Sequence, residues 1–443
     1  MSEWVTAPLH SLAEIRVSNV DKKTVPSERP VRLCNYMDVY GNDYIRSDIP
    51  FMEATASAAE ISRLKVDHGD VMITKDSETP SDIGIPAVVM DQIDDLVCGY
   101  HLALIKPNRN VVDSVYLAKQ LATDETARYF GRYAAGSTRY GLSNGAIAKT
   151  RIRLAPLPQQ QKIAAILTSI DTAIEKTEAL IEKYQQTKAG LMHDLFTRGV
   201  LPNSQLRPPR EQAPELYQET AIGWIPRDWN VCTLRSCLTS NPTNGIYKSS
   251  DQIGLEGVLM VGQTAFTAER SVEFSLCRRG VISSGDLRRY GLSKGNILVT
   301  RVFATVQGVG LPTLVPELSE PAVFESNMMR LQIDLARIVP RLLFEWLRSP
   351  AARRYIYAGA NASNQCSVNQ SVLNPMPVPC PHIEEQARIV SRIDRLDERH
   401  FSECSDLQKL LYQKLGLMQD LLTGKVPVKV GAGETANHSE RHP

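Results

Sequence analysis

Lys188-Ala-Gly-Leu-Met-His-Asp-Leu-Phe-Thr197 returns later in the chain as Lys414-Leu-Gly-Leu-Met-Gln-Asp-Leu-Leu-Thr423, an offset of 226 residues (414 − 188). The same offset carries Gly69 to Gly295, Thr74 to Thr300, Gly84 to Gly310, Pro86 to Pro312, Ser137 to Ser363, Gln160 to Gln386 and Asp171 to Asp397. Near the start it slips by one residue, so that Trp4 and Leu9 correspond to Trp229 and Leu234. A shift this constant is a duplication, and its period is far too long for a solenoid. Two copies of one complex unit predict a pseudo-two-fold molecule made from a single chain.

Working outward from the repeated stretch, each copy ends in a long amphipathic helix. After Pro156-Leu-Pro158, apolar residues fall at Ile163, Ile166, Leu167, Ile170, Ile174, Leu180, Ile181, Tyr184, Leu191, Met192 and Leu195. The second stripe runs through Ile389, Ile393, Leu396, Leu407, Leu410, Leu411, Leu417, Met418 and Leu421. These are mostly three- and four-residue steps with no internal proline, so each segment predicts nearly forty helical residues. An isolated helix of that length needs a partner for its stripe, and the other copy is the expected one. Thr177 and Glu403 interrupt the stripes and are candidates for setting register.

The part ahead of each helix reads as mixed α/β. Strands are expected at Val71–Thr74, Ala87–Met90, Ile297–Thr300 and Met328–Ile333, and helices at Val112–Leu121 and Pro340–Arg348, among loops rich in Gly, Pro and Asn. The resulting fold class is α+β: two mixed α/β domains separated by a pair of long antiparallel helices. The expected boundaries are 1–155 and 223–380 for the domains, 156–200 and 381–423 for the helices, 201–222 for a proline-rich linker, and 424–443 for a disordered tail.

Composition narrows the classes. A chain of 443 residues with 43% apolar and 22% charged residues is globular and too long for one ordinary core. It contains no run of 18 apolar residues and no visible secretory signal, so a cytoplasmic protein is expected. The eight cysteines form no CxxC pair, which predicts reduced thiols and not a zinc site. The net charge of +1 conceals two clusters. Arg128, Arg132, Arg139, Lys149, Arg151 and Arg153 lie in a stretch without an acid, and Arg278, Arg279, Arg288, Arg289, Lys294 and Arg301 face only Asp286. Positive charge in both copies, outside the second helix, is where phosphates could be met.

Catalytic signatures are missing. The chain has no phosphate-binding G-x4-GK[ST] loop and no HExxH pair. Gln307-Gly-Val-Gly-Leu-Pro312 resembles a cofactor loop, but its counterpart Ser81-Asp-Ile-Gly-Ile-Pro86 lacks the first glycine, so a structural turn is expected. Asn374-Pro-Met-Pro377 resembles an adenine-methyltransferase motif without the aromatic residue that would stack on a base, and is set aside. Two related halves without such motifs favour binding over catalysis.

The order domain, helix, domain, helix, together with the residues at its boundaries, resembles the specificity (S) subunits of type I restriction-modification systems. Ile222-Gly-Trp-Ile-Pro-Arg-Asp-Trp229 is similar to the entry of a target-recognition domain in that family. Pro156-Leu-Pro-Gln-Gln-Gln-Lys-Ile163 and Pro381-His-Ile-Glu-Glu-Gln-Ala-Arg-Ile389 resemble its helix starts, Gly136-Ser-Thr-Arg-Tyr-Gly-Leu-Ser143 its segment before the helix, and Leu191–Thr197 and Leu417–Thr423 its helix ends. The resemblance spans residues 1–423. Two departures stand out: Gln159 replaces the usual glutamate that Glu385 keeps, and Asn361-Ala-Ser-Asn364 replaces Gly-Ser-Thr.

The resemblance implies a non-catalytic, sequence-specific DNA-binding subunit. Each domain would read one half of a bipartite, asymmetric target on double-stranded DNA, with the helix pair as a coiled-coil ruler between half-sites. Two DNA-methyltransferase (M) subunits and the motor-nuclease (R) subunits would dock on it. S-adenosylmethionine, ATP and Mg2+ belong to those partners, with no cofactor or metal in this chain. Arg suits guanine and Asn or Gln suits adenine through paired hydrogen bonds. The candidate DNA-binding residues are therefore Asn35, Tyr36, Tyr40, Asn42, Tyr44, Lys75, Thr138 and Arg139 in the first copy, and Gln263, Arg288, Arg289, Arg301, Asn364 and Gln365 in the second. The competing readings are a helical interaction scaffold that does not touch DNA, a standalone bipartite DNA-binding regulator, and a nuclease with an unrecognised site.

Overall fold

The computed structural model describes residues 4–254, 256–266, 272–361 and 365–429. Contacts divide the chain into two units, one running to Leu180 and resuming at Glu403, the other comprising Ile181–Ser402. The dividing points fall inside both long helices, so each unit contains one α/β domain, part of its own helix and part of the other copy's. Sequence reading assigned each helix whole, as a segment of its own.

The first long helix is Leu157–Thr197 and the second Ile383–Leu422. Pro158 is tolerated because it stands in the first turn, where its missing N–H has no intrahelical partner to lose. Gly199 and Gly424, just past the two helix ends, adopt φ of +63° and +73°. A Cβ at Gly199 would press on the Trp229 ring and one at Gly424 on the Trp4 ring, so glycine is needed for space as well as for φ.

The stretch that revealed the duplication lies in the cores. Leu421 and Leu422 join Ile163, Leu167, Leu9, Tyr116 and Phe130 in the first unit. Leu195 and Phe196 join Trp229, Leu342, Phe344, Ile389 and Ile393 in the second. Each buried leucine contributes on the order of 1.5–3 kcal/mol. At the helix ends each stripe thus meets the other helix, through Ile163 and Leu167 in the first unit and Ile389 and Ile393 in the second, and the α/β domain as well. Through the middle of the first helix half-buried residues recur mostly at three- and four-residue steps, Thr177 among them, and its hydroxyl bonds back to Ala173 O at 2.9 Å.

Within each unit the domain repeats the same topology. In the first, Ala13–Val17, Leu102–Pro107, Val71–Thr74 and Pro86–Val89 lie side by side in that order, with Tyr44–Ile45 at the edge. In the second the order is Thr243–Asn244, Met328–Leu331, Ile297–Thr300, Pro312–Leu314. A smaller sheet pairs Arg29–Cys34 parallel to Leu96–Cys98, and its counterpart pairs Val258–Val261 parallel to Ala322–Phe324. The predicted strands and helices appear within two residues of their expected ends.

The repeated threonines and glutamines explain themselves as satisfied core groups. Thr74 Oγ1 accepts from Ile85 N at 3.0 Å, and Thr300 Oγ1 from Leu311 N at 2.9 Å. The Gln160 side chain accepts from Asp113 N and donates to Val111 O and Ala155 O. Gln386 repeats this with Val339 N, Arg337 O and Pro381 O. Each glutamine ties the start of its long helix to its own domain and leaves no buried amide unpaired.

Residues 201–222, expected as a linker, pack into the second unit. Tyr217 is buried, Tyr217–Thr220 forms a hairpin with Gly223–Pro226, and Arg207 pairs with Glu385 inside the second unit. Glu385 also accepts from Val200 N at 2.8 Å and Trp229 Nε1 at 3.1 Å. It is thus a core clamp and not merely an acid at a helix start. In the tail, Gly424 to Lys429 are described, with Lys425 near Asp420 at 3.4 Å, while 430–443 lie outside the described residues. The cysteines are all free thiols, and no cluster of metal-ligating side chains occurs among the described residues.

Candidate nucleic-acid interface

In the first unit, several loops at one end of the sheet enclose a recess of about 350 Å³ lined by Asp21, Lys22, Asn35, Tyr36, Met37, Tyr100, His101 and Arg139. Its walls follow from local chemistry. Asn35 is the N-cap of the short helix Tyr36–Tyr40, and its backbone N–H donates to Asp38 at 2.7 Å, which fixes where Tyr36 stands. Tyr36 and Tyr40 stack with centroids 5.6 Å apart, and the Tyr40 hydroxyl donates to Asp82 at 3.0 Å. Opposite them, Lys75 N donates to His101 O at 2.7 Å, and Tyr140–Gly141 pairs with Asp76–Ser77.

Gly136 has φ of +149°, and a Cβ there would lie 1.9 Å from Arg139 O. Only glycine permits the turn that presents Thr138 and Arg139, both exposed. The Gly-Ser-Thr segment read from sequence is therefore a device for holding Arg139 over the recess.

Asn35, Tyr36 and Arg139 thus line one recess, with Tyr40 stacked beside them and Lys75 tied to the same loops. Asn42 is exposed but spends its amide on Asp38 O at 2.9 Å, closing the helix. Tyr44 is a correction. It is 3% exposed, and its hydroxyl donates to Asp171 at 2.6 Å within a buried cluster of ions. Its tyrosine neighbours on the surface gave it a false appearance of belonging with them.

In the second unit the matching loops gather Gln263, Arg301, Asn327 and Gln365. Gln263 Nε2 donates to Val302 O, Arg301 Nε donates to Ser326 O at 3.1 Å, and Arg301 N donates to Asn327 O at 2.7 Å. The ladder Val302–Phe303 with Cys366–Ser367 stands where Asp76–Ser77 pairs with Tyr140–Gly141 in the first unit. Gln365 is exposed next to it, and Asn364 lies outside the described residues. Arg288 and Arg289 are exposed on another element, the helix Ser284–Tyr290, where Arg289 stacks on Tyr290 at 5.3 Å. They are not gathered with the others.

Sequence reading missed Asp76, Tyr100 and His101. His101 Nδ1 lies 2.7 Å from Asp76 Oδ2, its ring packs on Tyr100 with centroids 3.9 Å apart, and its φ is +71°. Tyr100-His101 is a polar break between the apolar runs Leu96–Cys98 and Leu102–Ile105, which was the one available signal.

Residues 1–183 match the family model described as the type I restriction modification DNA specificity domain. The chain is 24% identical to the type I restriction enzyme MjaVIII specificity subunit of Methanocaldococcus jannaschii, over 73% of each chain. It is 22% identical to the putative MjaX specificity subunit of the same organism, over 84% of this chain and 81% of that one. The fold resembles that of a type I restriction-modification S subunit from M. genitalium, with TM-score 0.55, 13% identity and 97% of both chains covered. A second similar structure, described as underlying complex assembly and conformational transition of the type I R-M system, gives TM-score 0.53 and 15% identity over 96% of this chain and 98% of that one.

Proposed function

Since this chain belongs with the specificity subunits of type I restriction-modification systems, we propose that it reads a bipartite, asymmetric DNA target, one half-site per unit. The observation that carries this is the recurrence of one loop constellation in both units with different side chains. Asn35, Tyr36, Lys75, His101 and Arg139 occupy one, Gln263, Arg301, Asn327 and Gln365 the other. Equal scaffolds supply equal docking, and unequal side chains supply unequal base preferences.

The chain itself performs no chemistry in this reading. It recruits methyltransferase subunits that use S-adenosylmethionine and motor-nuclease subunits that use ATP and Mg2+. The outward faces of the second long helix offer them apolar contacts, with Tyr412 72% and Leu415 64% exposed in the first unit and Phe401 70% in the second.

The test is to map methylated adenines genome-wide with and without this chain, and then with Arg139→Ala and Gln365→Ala. Each variant is expected to relax one half of the target and spare the other. Methylation unaffected by removing the chain, or both variants acting on the same half, would overturn the proposal. A scaffold that does not touch DNA would give no mobility shift with random duplex at low salt.

A further inference from the structure

His101 is held as few surface histidines are. It sits in the left-handed region, which a bulky side chain visits only when its surroundings enforce it. Three contacts enforce it: its carbonyl accepts from Lys75 N, its ring packs on Tyr100, and its Nδ1 meets the Asp76 carboxylate at 2.7 Å. Asp76 is fixed in turn by the Tyr140–Gly141 ladder, and a Cβ on Gly141 would come within 2.9 Å of its Oδ1.

An ionised carboxylate can only accept a hydrogen bond, so Nδ1 must be the donor. In the neutral imidazole this leaves Nε2 as a bare acceptor. Nδ1 is taken, yet His101 lines the recess beside Asn35, Tyr36 and Arg139. Nε2 is therefore the ring nitrogen left for a ligand. Lys22 and Arg139 at the same rim suit phosphates or guanine acceptors, so the recess offers both signs of hydrogen-bonding partner.

Resting on the DNA-binding reading, we propose that His101 is a sequence-reading residue of the first unit. Its Nε2 accepts a hydrogen bond from an exocyclic amino group, adenine N6 or cytosine N4, in the major groove of one half-site. Asp76 is the positioning residue that fixes the tautomer. The corresponding place in the second unit holds Asn327, exposed and with its carbonyl bonded to Arg301 N in the same way. An amide there suits adenine, so the position is a reading position in both units.

The test begins with selection of duplexes from a random pool by the full chain in complex with its methylation subunits. The target is then remade with one base at a time lacking its amino group, purine for adenine and 2-pyrimidinone for cytosine. Wild type is expected to lose roughly 5- to 50-fold in affinity at one such position of one half-site. His101→Ala is expected to be insensitive at that same position and to read the other half-site normally, which also shows that it is folded. His101→Gln keeps an acceptor and is expected to retain part of the preference.

If wild type selects no sequence, the DNA-binding reading fails and this inference falls with it. If wild type selects a target that His101→Ala reads with the same sensitivities, the inference alone is overturned. Sensitivity carried by 7-deazaguanine in place of the amino analogues would likewise overturn it, since Nε2 would then be acting as a donor.

Discussion

Asp171→Asn and Asp397→Asn are the same substitution at positions 226 residues apart (397 − 171), and they are expected to cost different amounts. Asp171 is 4% exposed and lies 2.8 Å from both Lys119 and Lys414, with the half-exposed Asp43 as the second carboxylate of the cluster. Neutralising Asp171 leaves the buried Lys119 and the partly buried Lys414 against one partly solvated acid. Breaking a buried pair from one side costs about 3–5 kcal/mol. Asp397 lies 2.6 Å from Arg341 and 3.1 Å from Lys188, but Arg341 also meets the buried Glu345 at 2.8 Å, and Lys188 is 4.0 Å from it. Asp394 holds Arg341 from the other side at 3.1 Å. Charge remains balanced after Asp397→Asn, so the loss is nearer that of hydrogen bonds, about 1–2 kcal/mol.

For units of this size these costs correspond to falls in Tm of roughly 6–20 °C and roughly 2–8 °C. The assay is thermal unfolding, with peptide-resolved hydrogen exchange to assign the loss to its unit. pH supplies an independent check. Burial alone would raise the Asp171 carboxyl, but Lys119, Lys414 and the Tyr44 hydroxyl more than offset it and hold it below the usual carboxylate range. A depressed carboxyl stabilises the fold above its unfolded pKa of about 3.9 and loses that contribution as pH falls through the lower folded value. The gap between wild type and Asp171→Asn should therefore be full at pH 7 and close below about pH 4. Equal costs at the two sites, or a gap that widens in acid, would refute the reasoning.

Three further outcomes are expected. Thr74→Val and Thr300→Val each remove the acceptor of a part-buried N–H, of Ile85 and Leu311, and should cost about 1 kcal/mol apiece in urea unfolding, nearly equally in the two units. Arg207→Ala leaves Glu385 buried at 3% exposure with Trp229 Nε1 and Val200 N as its remaining donors; a loss of about 3–5 kcal/mol confined to the second unit is expected by peptide-resolved hydrogen exchange. Lys75→Ala should weaken all duplexes alike and flatten the salt dependence of binding in a titration against potassium chloride, whereas Arg139→Ala should change preference at one half-site.

What could be read from sequence follows from where each signal is written. The duplication, the helices and the strand positions are carried by spacing: glycines at +78° and +84° (Gly69, Gly295), threonines accepting from the same turn, and glutamines clamping helix starts are local demands that tolerate few alternatives. The recess was half legible. Arg139 was found because Gly136-Ser-Thr frames it, while His101 was missed because its significance lies in a contact with Asp76 across 25 residues. Tyr44 was misplaced for the same reason in reverse: nothing near it in sequence announces Asp171, 127 residues away. Residues 201–222 read only as a linker because prolines are visible in sequence and the burial of Arg207 against Glu385 is not.

The buried clusters show what duplication leaves free to diverge. Lys414 and Lys188 are equivalent, as are Asp171 and Asp397, so this helix-borne pair is unchanged between units, whereas Asp394 replaces the neutral Thr168. On the domain side Lys119 is matched by Glu345, a full reversal of sign at a site that is 5% exposed in one unit and 4% in the other. The reversal survives because Arg341 stands at the position equivalent to Val115 and restores a cation against Asp397. The domains therefore changed as sets of compensating residues, with the helices keeping the lysine and aspartate pair and adding Asp394 beside Arg341. It follows that Lys119→Glu alone sets the introduced carboxylate beside those of Asp43 and Asp171, with Lys414 left to balance all three, and should cost at least as much as Asp171→Asn. Adding Val115→Arg should recover part of that loss, a coupling of about 2 kcal/mol in a double-mutant cycle by urea unfolding. Additive effects of the two substitutions would show instead that the sign at this site is set by something other than the cluster.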